Sequence, residues 1–180
     1  NVNVSGFFID GDDSTRIGIW VGPESENITL SGNTIHGMAL PYSDEDPFSY
    51  GILAYGASQN TMIMNLEIHD NYIFDINGAG IAMGNYVDTV YIHDNFVNNL
   101  NPIDFLGVPV SYGVGANLTN NILIQGNHFE NLFMGLNITT TFGAESIDND
   151  YENIYFYLVS AYADIEFNDS EDWWLIDYTF

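Results

Sequence analysis

The chain has 180 residues, of which 25 are acidic. It has no Lys and a single Arg, Arg16, so its formal net charge is −24. A field of this sign repels nucleic acid phosphates and anionic lipid surfaces, which argues against both as partners. There is no cysteine to form a disulfide or a thiolate metal site, and no apolar run of about 18 residues that would predict insertion into a membrane.

One nine-residue pattern recurs along the chain, and its two clearest copies, Asn65–Ile73 and Thr89–Val97, share the sequence Ile-His-Asp-Asn. Further copies begin at Asn1, Asn27 and Asn121, and a weaker one begins at Asn153. The interval between neighbouring copies ranges from 24 residues (65 to 89) to 38 residues (27 to 65), so some repeats carry insertions. Self-similarity of this kind is typical of stacked repeats.

Apolar residues alternate within each copy, a Gly-Asn or Asp-Asn pair follows, and one more apolar residue comes after the pair. Alternation with a period of two predicts a strand with one buried face, and Gly and Asn predict a sharp bend. A second motif, a Gly followed by Ile, Val or Leu, predicts a further strand in each repeat. The residues expected to face the core are Ile28, Leu30, Ile35, Leu66, Ile68, Ile73, Val90, Ile92, Val97, Ile122, Ile124 and Phe129. Strands that recur in one order predict a solenoid of parallel coils.

These motifs resemble those of right-handed parallel β-helix repeat proteins, among them the β-solenoid modules of prokaryotic extracellular and surface proteins. The resemblance implies an all-β, right-handed parallel β-helix of about five to six coils. It also implies that the Asn residues at the bends stack into an internal ladder, formed by Asn33, Asn71, Asn95 and Asn127. Phe7 takes the ladder position in the first copy, where we expect aromatic stacking instead.

We expect the regular coils to span residues 1–140, and residues 141–180 to form an irregular last coil of the same domain. This segment is acidic and aromatic, which suits either a cap over the open end of the core or a surface that docks on another subunit. The residues expected to take part in assembly are Trp173, Trp174, Tyr178 and Phe180.

Two insertions, residues 39–49 and 101–111, are expected to project from the same side of neighbouring coils. Insertions on one side of a solenoid commonly form its binding surface. Their aromatic residues Tyr42, Phe48 and Phe105 are candidate stacking platforms for sugar rings.

The duplicated His-Asp pair is the strongest candidate for chemistry. Equivalent positions on adjacent coils lie about 4.8 Å apart, so His69 and Asp70 are expected beside His93 and Asp94 on the outer surface. Two neutral imidazoles and a carboxylate suit a transition metal. The same column also holds residues without metal-binding character, namely Ser5, Ser31 and Gln125. A structural stack is therefore the leading interpretation, and a metal site is the alternative.

A second cluster of oxygen ligands, Asp10, Asp12 and Asp13, lies on a predicted turn and is a candidate Ca²⁺ site. It lacks the full spacing and the distal Glu of an EF-hand loop, and solvated acidic side chains are the simpler interpretation. A chain of this charge needs salt, low pH, divalent cations or a partner surface to relieve its self-repulsion. The sequence establishes no cofactor, and Ca²⁺ is the candidate.

Five sequons permit N-glycosylation if the protein is exported, at Asn3, Asn27, Asn117, Asn137 and Asn168. The chain begins inside a repeat, which is expected if a leader or an upstream region has been removed. Together with the resemblance, these features predict an extracellular or cell-surface location.

The leading functional hypothesis is a non-catalytic structural or adhesive protein that self-assembles as a homo-oligomer or polymer in a filament, sheath or surface layer. The alternative is a β-helix protein that binds or degrades carbohydrate. Lyases of acidic polysaccharides, which the resemblance would include, need basic residues, and Arg16 is the one Lys or Arg of this chain. Hydrolysis by paired carboxylates stays open, with Asp12 and Asp13 or Asp70 and Asp94 as candidate pairs.

Overall fold

The computed structural model describes residues 1–40, 47–105, 107–169 and 175–178, and these residues form strands, turns and irregular segments without a helix. The strands wind in successive coils, and each coil contributes one strand to each of three faces. Strands on the same face pair in parallel with those of the neighbouring coils. The predicted all-β parallel β-helix is therefore confirmed.

The first three coils share one order of strands along the chain. Their strands are β1 (Val2–Ser5), β2 (Phe8–Asp10), β3 (Ile17–Val21), β4 (Glu26–Ser31), β5 (Thr34–Met38), β6 (Ser49–Tyr55), β7 (Ile63–His69), β8 (Tyr72–Ile76) and the first half of β9 (Gly78–His93). The first face contains β1, β4 and β7, the second contains β2, β5 and β8, and the third contains β3, β6 and the start of β9.

In the later coils, single long strands bend from one face to the next. The remaining strands are β10 (Phe96–Asn98), β11 (Ile103–Phe105), β12 (Val108–Val110), β13 (Tyr112–Gln125), β14 (His128–Thr139), β15 (Phe142–Ile147), β16 (Asp150–Ala161), β17 (Ile165–Asn168) and β18 (Leu175–Tyr178). The antiparallel pair β11 and β12 forms a hairpin inside the second insertion. Both β9 and β13 end on the first face, where their final residues pair in register.

Parallel coils continue past residue 140, which revises the predicted boundary. Strand β15 pairs with β13, and β16 pairs with β14, so this segment completes a sixth coil. Strands β17 and β18 then pair with β15 and β16. The pattern fades in the sequence because polar Ser146 takes a buried, core-facing position where earlier copies have Val, Leu or Ile.

Left-handed backbone conformations form the corners between faces. Between the first and second faces, Asp70 has φ 54° and Asp94 has φ 52°, and Gly6, Gly32 and Gly126 take the corresponding corners of other coils. Asp and Gly both tolerate this region of the backbone map. The Gly-Asn and Asp-Asn pairs of the sequence are therefore a corner residue followed by an inward-facing Asn.

The core is a set of apolar columns that run along the axis of the helix. All the residues predicted to face it are buried, from Ile28 in the second coil to Phe129 in the fifth. The Gly-Ile motif has a steric cause: a Cβ on Gly80 would lie 2.6 Å from Val97 Cγ1 and 2.8 Å from the Gly113 carbonyl oxygen. Apolar side chains from the second face occupy the space that a larger residue would need there.

An internal column of Asn side chains runs through the corners. Asn33 Nδ2 donates to Asn71 Oδ1 at 3.0 Å, Asn71 Nδ2 to Asn95 Oδ1 at 2.9 Å, and Asn95 Nδ2 to Asn127 Oδ1 at 2.9 Å. Each of these Asn residues is at most 1% exposed. Every Oδ1 from Asn71 onward also accepts the backbone N–H of the preceding ladder residue, so the ladder satisfies backbone groups at a buried bend.

The first coil differs from its prediction. Phe7 is 58% exposed, and its backbone N–H donates to Asn33 Oδ1 at 3.1 Å, so the main chain of Phe7 meets the ladder. The aromatic contact lies one residue later, where the ring of Phe8 meets His36 edge-on with centroids 5.0 Å apart.

The ladder continues through two residues that the sequence analysis missed. Asn127 Nδ2 donates to Asn149 Oδ1 at 2.9 Å, and Asn149 Nδ2 donates to Asp169 Oδ1 at 3.1 Å. Asp169 is 6% exposed and also accepts hydrogen bonds from the hydroxyls of Ser146 and Tyr151. Burial raises the pKa of Tyr151 well above its usual value, and the nearby Asp169 carboxylate raises it further.

Candidate functional site on the first face

The strongest candidate site lies on the outer surface of the first face. Alternate residues of a strand point to opposite sides, so Glu67 and His69 of β7 face outward together. In β9, Tyr91 is paired with Glu67, and His93 is paired with His69. Four functional side chains from two adjacent coils are thereby placed in a square.

The two imidazoles stack as the sequence predicts. The ring centroids of His69 and His93 are 4.8 Å apart, and the planes differ by 5°. Each His shares a short contact with the corner residue that follows it: Nδ1 of His69 lies 2.7 Å from Asp70 Oδ2, and Nδ1 of His93 lies 2.8 Å from Asp94 Oδ2. Both aspartates therefore act on the Nδ1 side of the rings, and the Nε2 atoms remain available to other groups.

Glu67 was missed by the sequence analysis, although it stands two residues before His69 in Glu-Ile-His. Its Oε1 lies 3.4 Å from Nε2 of His93. In the described part of the chain, Glu67, His69 and His93 are the acidic and imidazole side chains whose ligand atoms all lie within 4.8 Å of one another. The structure therefore groups Glu67, and not Asp70 or Asp94, with the two histidines as a possible set of metal ligands.

A groove of about 480 Å³ runs beside this cluster, across the first four coils. Its outward side chains come from four paired strands and include Asn3, Thr29, Glu67 and Tyr91. Asn27 and Asn65, which have left-handed backbone conformations within β4 and β7, also line the groove, and Asn65 Nδ2 donates to Asn27 Oδ1 at 3.2 Å. The groove is open, polar along its rim and continuous across the coils.

Ring contacts cover the second face. His36 stacks on Phe74 with centroids 4.8 Å apart, Tyr72 stacks on Phe96 at 5.2 Å, and His128 meets Phe96 edge-on at 4.8 Å. Because neighbouring coils occupy the flat sides of these rings, mainly ring edges are left for a ligand. This face has the character of a structural stack.

The candidate calcium residues occupy a tight turn. Asp12 and Asp13 both have left-handed backbone conformations, and the backbone N–H of Asp12 donates to Asp10 Oδ1 at 2.9 Å. In the described residues these three carboxylates do not form a group with ligand atoms within 4.8 Å of one another. Calcium binding at this turn stays a prediction.

The aromatic residues of the two insertions come together in part. Phe48 and Phe105 have ring centroids 6.1 Å apart, and Phe48 also lies 5.6 Å from the ring of Tyr112. The two insertions therefore lie on the same side of the solenoid. Tyr42 is outside the described residues, as are Trp173, Trp174 and Phe180. Tyr178 lies in β18, which pairs with β16.

The sequons are all found on strands. Asn3, Asn27, Asn117 and Asn168 are exposed, and Asn137 is half-buried. These positions are accessible to modification, while glycosylation itself stays a prediction.

The described segments hold no helix with the length and apolar character that crossing a membrane requires.

A chain of parallel coils with an internal Asn ladder and an open groove on one face defines a β-helix protein. The family model described as a right handed beta helix region matches residues 3–162. The chain therefore belongs to the right-handed β-helix family, as the sequence predicts. Comparison with curated proteins finds no match. Many members of this family degrade polysaccharides or are surface proteins, and the fold occurs in enzymes and in non-enzymes.

Proposed function

We propose that this protein is a non-catalytic, adhesive β-helix module of the cell exterior, which binds neutral polysaccharide along the groove of the first face. The observation that carries the proposal is the groove itself, because it aligns hydrogen-bonding side chains in register across four coils. A repeating ligand such as a polysaccharide is matched by a repeating protein surface.

The chemistry of the groove suits sugar hydroxyls. The amides of Asn3, Asn27 and Asn65 and the hydroxyl of Thr29 offer both donors and acceptors. Tyr91 adds an aromatic ring, which is oriented by its hydroxyl donating to Gln125 Oε1 at 3.0 Å. These groups bind without a charge on the ligand.

Charge selects neutral chains over acidic ones. The protein has a net charge of −24, and the described lining of the groove includes the carboxylate of Glu67 and no Lys or Arg. An anionic polysaccharide is repelled by this field, and the repulsion weakens as salt is added. We therefore expect neutral glycans to bind and uronate-rich glycans to bind poorly.

The same lining supports the non-catalytic part of the proposal. Glycoside hydrolases ordinarily use two carboxyl groups that flank the scissile bond, and within the described groove Glu67 supplies one. The pairs considered from the sequence, Asp12 with Asp13 and Asp70 with Asp94, are not among the residues that line the groove. Binding without turnover is the expected outcome.

A panel of neutral and acidic polysaccharides tests this function, with binding and product release measured on the same samples. The variants Thr29→Val and Tyr91→Ala should each weaken binding of the neutral ligand at least about tenfold, which is about 1.4 kcal/mol. Thr34→Val on the second face and Tyr155→Ala, which removes a 72% exposed ring, are matched controls expected to bind normally. Turnover by the wild type, or equal loss in the controls, would contradict the proposal.

Self-assembly into a filament, sheath or surface layer is the second candidate function. It is favoured by large aromatic residues that remain exposed, among them Phe8 at 70%, Trp20 at 65% and Tyr155 at 72%. Exposed apolar surface of this kind commonly marks an interaction site. Analytical ultracentrifugation and electron microscopy, with and without Ca²⁺, test the idea. A protein that stays monomeric at high concentration under both conditions would rule it out.

A further inference from the structure

We propose that Glu67, His69 and His93 form a binding site for a divalent transition metal of the zinc class on the first face. This inference does not rest on the polysaccharide proposal, because the two imidazoles lie beside the groove and do not line it. The three groups come from adjacent strands, two from β7 and one from β9.

The placement of the donors follows from strand geometry. Glu67 and His69 are two residues apart on one strand and face the same side, and His93 is the register partner of His69 on the next. Their ligand atoms already lie within 4.8 Å of one another. A tetrahedral ion with bonds of about 2.1 Å holds its ligand atoms about 3.4 Å apart. The 3.4 Å between His93 Nε2 and Glu67 Oε1 matches this separation.

Each imidazole has a carboxylate at Nδ1, which leaves its Nε2 atom for a metal. Asp70 and Asp94 lie 2.7 and 2.8 Å from the respective Nδ1 atoms. A carboxylate at Nδ1 places the proton there and leaves a lone pair on Nε2, the arrangement that recurs where His binds a metal. The corner conformations of Asp70 and Asp94 hold these carboxylates in position.

The contact between His93 and Glu67 suits a metal ion. With the ring proton on Nδ1, beside Asp94, the Nε2 lone pair of His93 faces the Glu67 carboxylate at 3.4 Å, and a metal ion between these two acceptors would bind both. The chain offers one Lys or Arg, and the Nε of that Arg16 donates to the Phe48 carbonyl oxygen at 3.3 Å.

The donor set selects the kind of metal. Two imidazoles and one carboxylate suit Zn²⁺, Ni²⁺ or Cu²⁺, whereas Ca²⁺ and Mg²⁺ prefer oxygen ligands throughout. Three protein ligands leave one position of a tetrahedral ion for water or a ligand. His69 has to tilt out of its stack on His93 to reach the shared ion, and its half-buried side chain, 24% exposed, leaves room for this movement.

Calorimetric titration of the chelator-treated full chain with Zn²⁺, in excess Mg²⁺ to mask general binding by acidic side chains, tests the site. We expect one ion per chain, with affinity reduced at least 100-fold by His93→Asn or His69→Asn and at least tenfold by Glu67→Gln. Asp94→Asn should weaken binding 10- to 100-fold, the usual range for such orienting partners. The visible spectrum of the Co²⁺-loaded protein should report tetrahedral coordination and disappear in His93→Asn.

His128→Asn is the matched control, because His128 Nδ1 also contacts a carboxylate, Asp150 Oδ2, at 2.6 Å. This pair lies on the second face and is not part of the three-ligand group, so the variant should bind Zn²⁺ like the wild type. Absence of one-to-one binding would overturn the proposal. Equal loss in His128→Asn and His93→Asn would also overturn it. Circular dichroism checks that each variant is folded, and unchanged polysaccharide binding by His69→Asn separates this result from the groove.

Discussion

Two columns of side chains in the same solenoid, one inside and one outside, differ in how much the residue type varies from coil to coil. Inside, the residue that follows the corner is Asn in the second to sixth coils, and each of these side chains donates a hydrogen bond to the next. Outside, only a few residues away, the paired residues include Ser31, His69, His93 and Gln125. At the inner column, buried backbone groups need the hydrogen bonds that an Asn side chain provides. At the outer column, side chains meet solvent, so many residue types are tolerated. A specific binding site can therefore arise where the outer column changes residue type, as it does at His69 and His93.

Removing one rung of the inner column should have the largest effect. Asn95→Ala leaves the backbone N–H and Nδ2 of Asn71 without the Oδ1 that they share, and removes the Nδ2 that donates to the Ile68 carbonyl. Each unsatisfied buried group costs about 1–3 kcal/mol, so the free energy of unfolding should fall by about 3 kcal/mol or more. Urea denaturation measures it. Asn117→Ala, at an exposed position, should change stability by less than about 0.5 kcal/mol.

The glycine column of the third face should be nearly as sensitive. Gly80→Ala places a Cβ 2.6 Å from Val97 Cγ1, and overpacking of this kind costs about 1–3 kcal/mol. Gly22→Ala is the matched control, since the nearest atom to its new Cβ is 3.6 Å away. Thermal unfolding compares the two variants. Equal melting temperatures would show that the Gly-Ile motif has another cause.

The end of the ladder should respond to alkaline pH. Because the pKa of Tyr151 is higher in the folded protein than in the unfolded chain, the unfolded chain loses this proton first. The stabilising contribution is complete below about pH 10 and is lost, by about 1.4 kcal/mol per pH unit, as pH rises toward the folded pKa. Tyr151→Phe should remove this part of the slope. Identical slopes of stability against pH above pH 10 in both proteins would argue against it.

The outer column should tolerate exchange between coils. His69→Ser copies the residue that the second coil carries at this position, and the stability should change by about 0.5 kcal/mol or less. Chemical denaturation beside Asn95→Ala gives the comparison directly. A loss as large as that of Asn95→Ala would show that the His stack holds the coils together.

The sequence predicts the interior far better than the surface. Alternating pairs such as Leu66 and Ile68 indicate buried strands, and the resemblance places Asn71 and Asn95 in the ladder because each coil repeats the same bend. Asn149 and Asp169 escape notice, because Asn149 stands in an acidic stretch and the strand before it, β15, carries the buried polar Ser146.

The candidate site depends on register between coils, which unequal insertions hide. Thr29 is 38 residues from Glu67 in the chain, yet its hydroxyl lies 3.4 Å from Glu67 Oε2. The spacing of the His-Asp pairs was visible in the sequence, but the side of each ring that Asp70 and Asp94 contact was not. Glu67 had a local signal, its position two residues before His69 on the same side of the strand. The pairing of β9 with β7 was needed to bring Glu67 close to His93.

The most direct test of a binding surface on the first face is to map a neutral oligosaccharide on the isotope-labelled protein by amide chemical shifts. We expect the largest amide shifts at Asn3, Thr29, Glu67 and Tyr91, which line the groove on four neighbouring strands. The amides of Phe8 and Tyr155, on other faces, should not move. Shifts confined to those other faces, or none with any neutral glycan at millimolar concentration, would contradict the account.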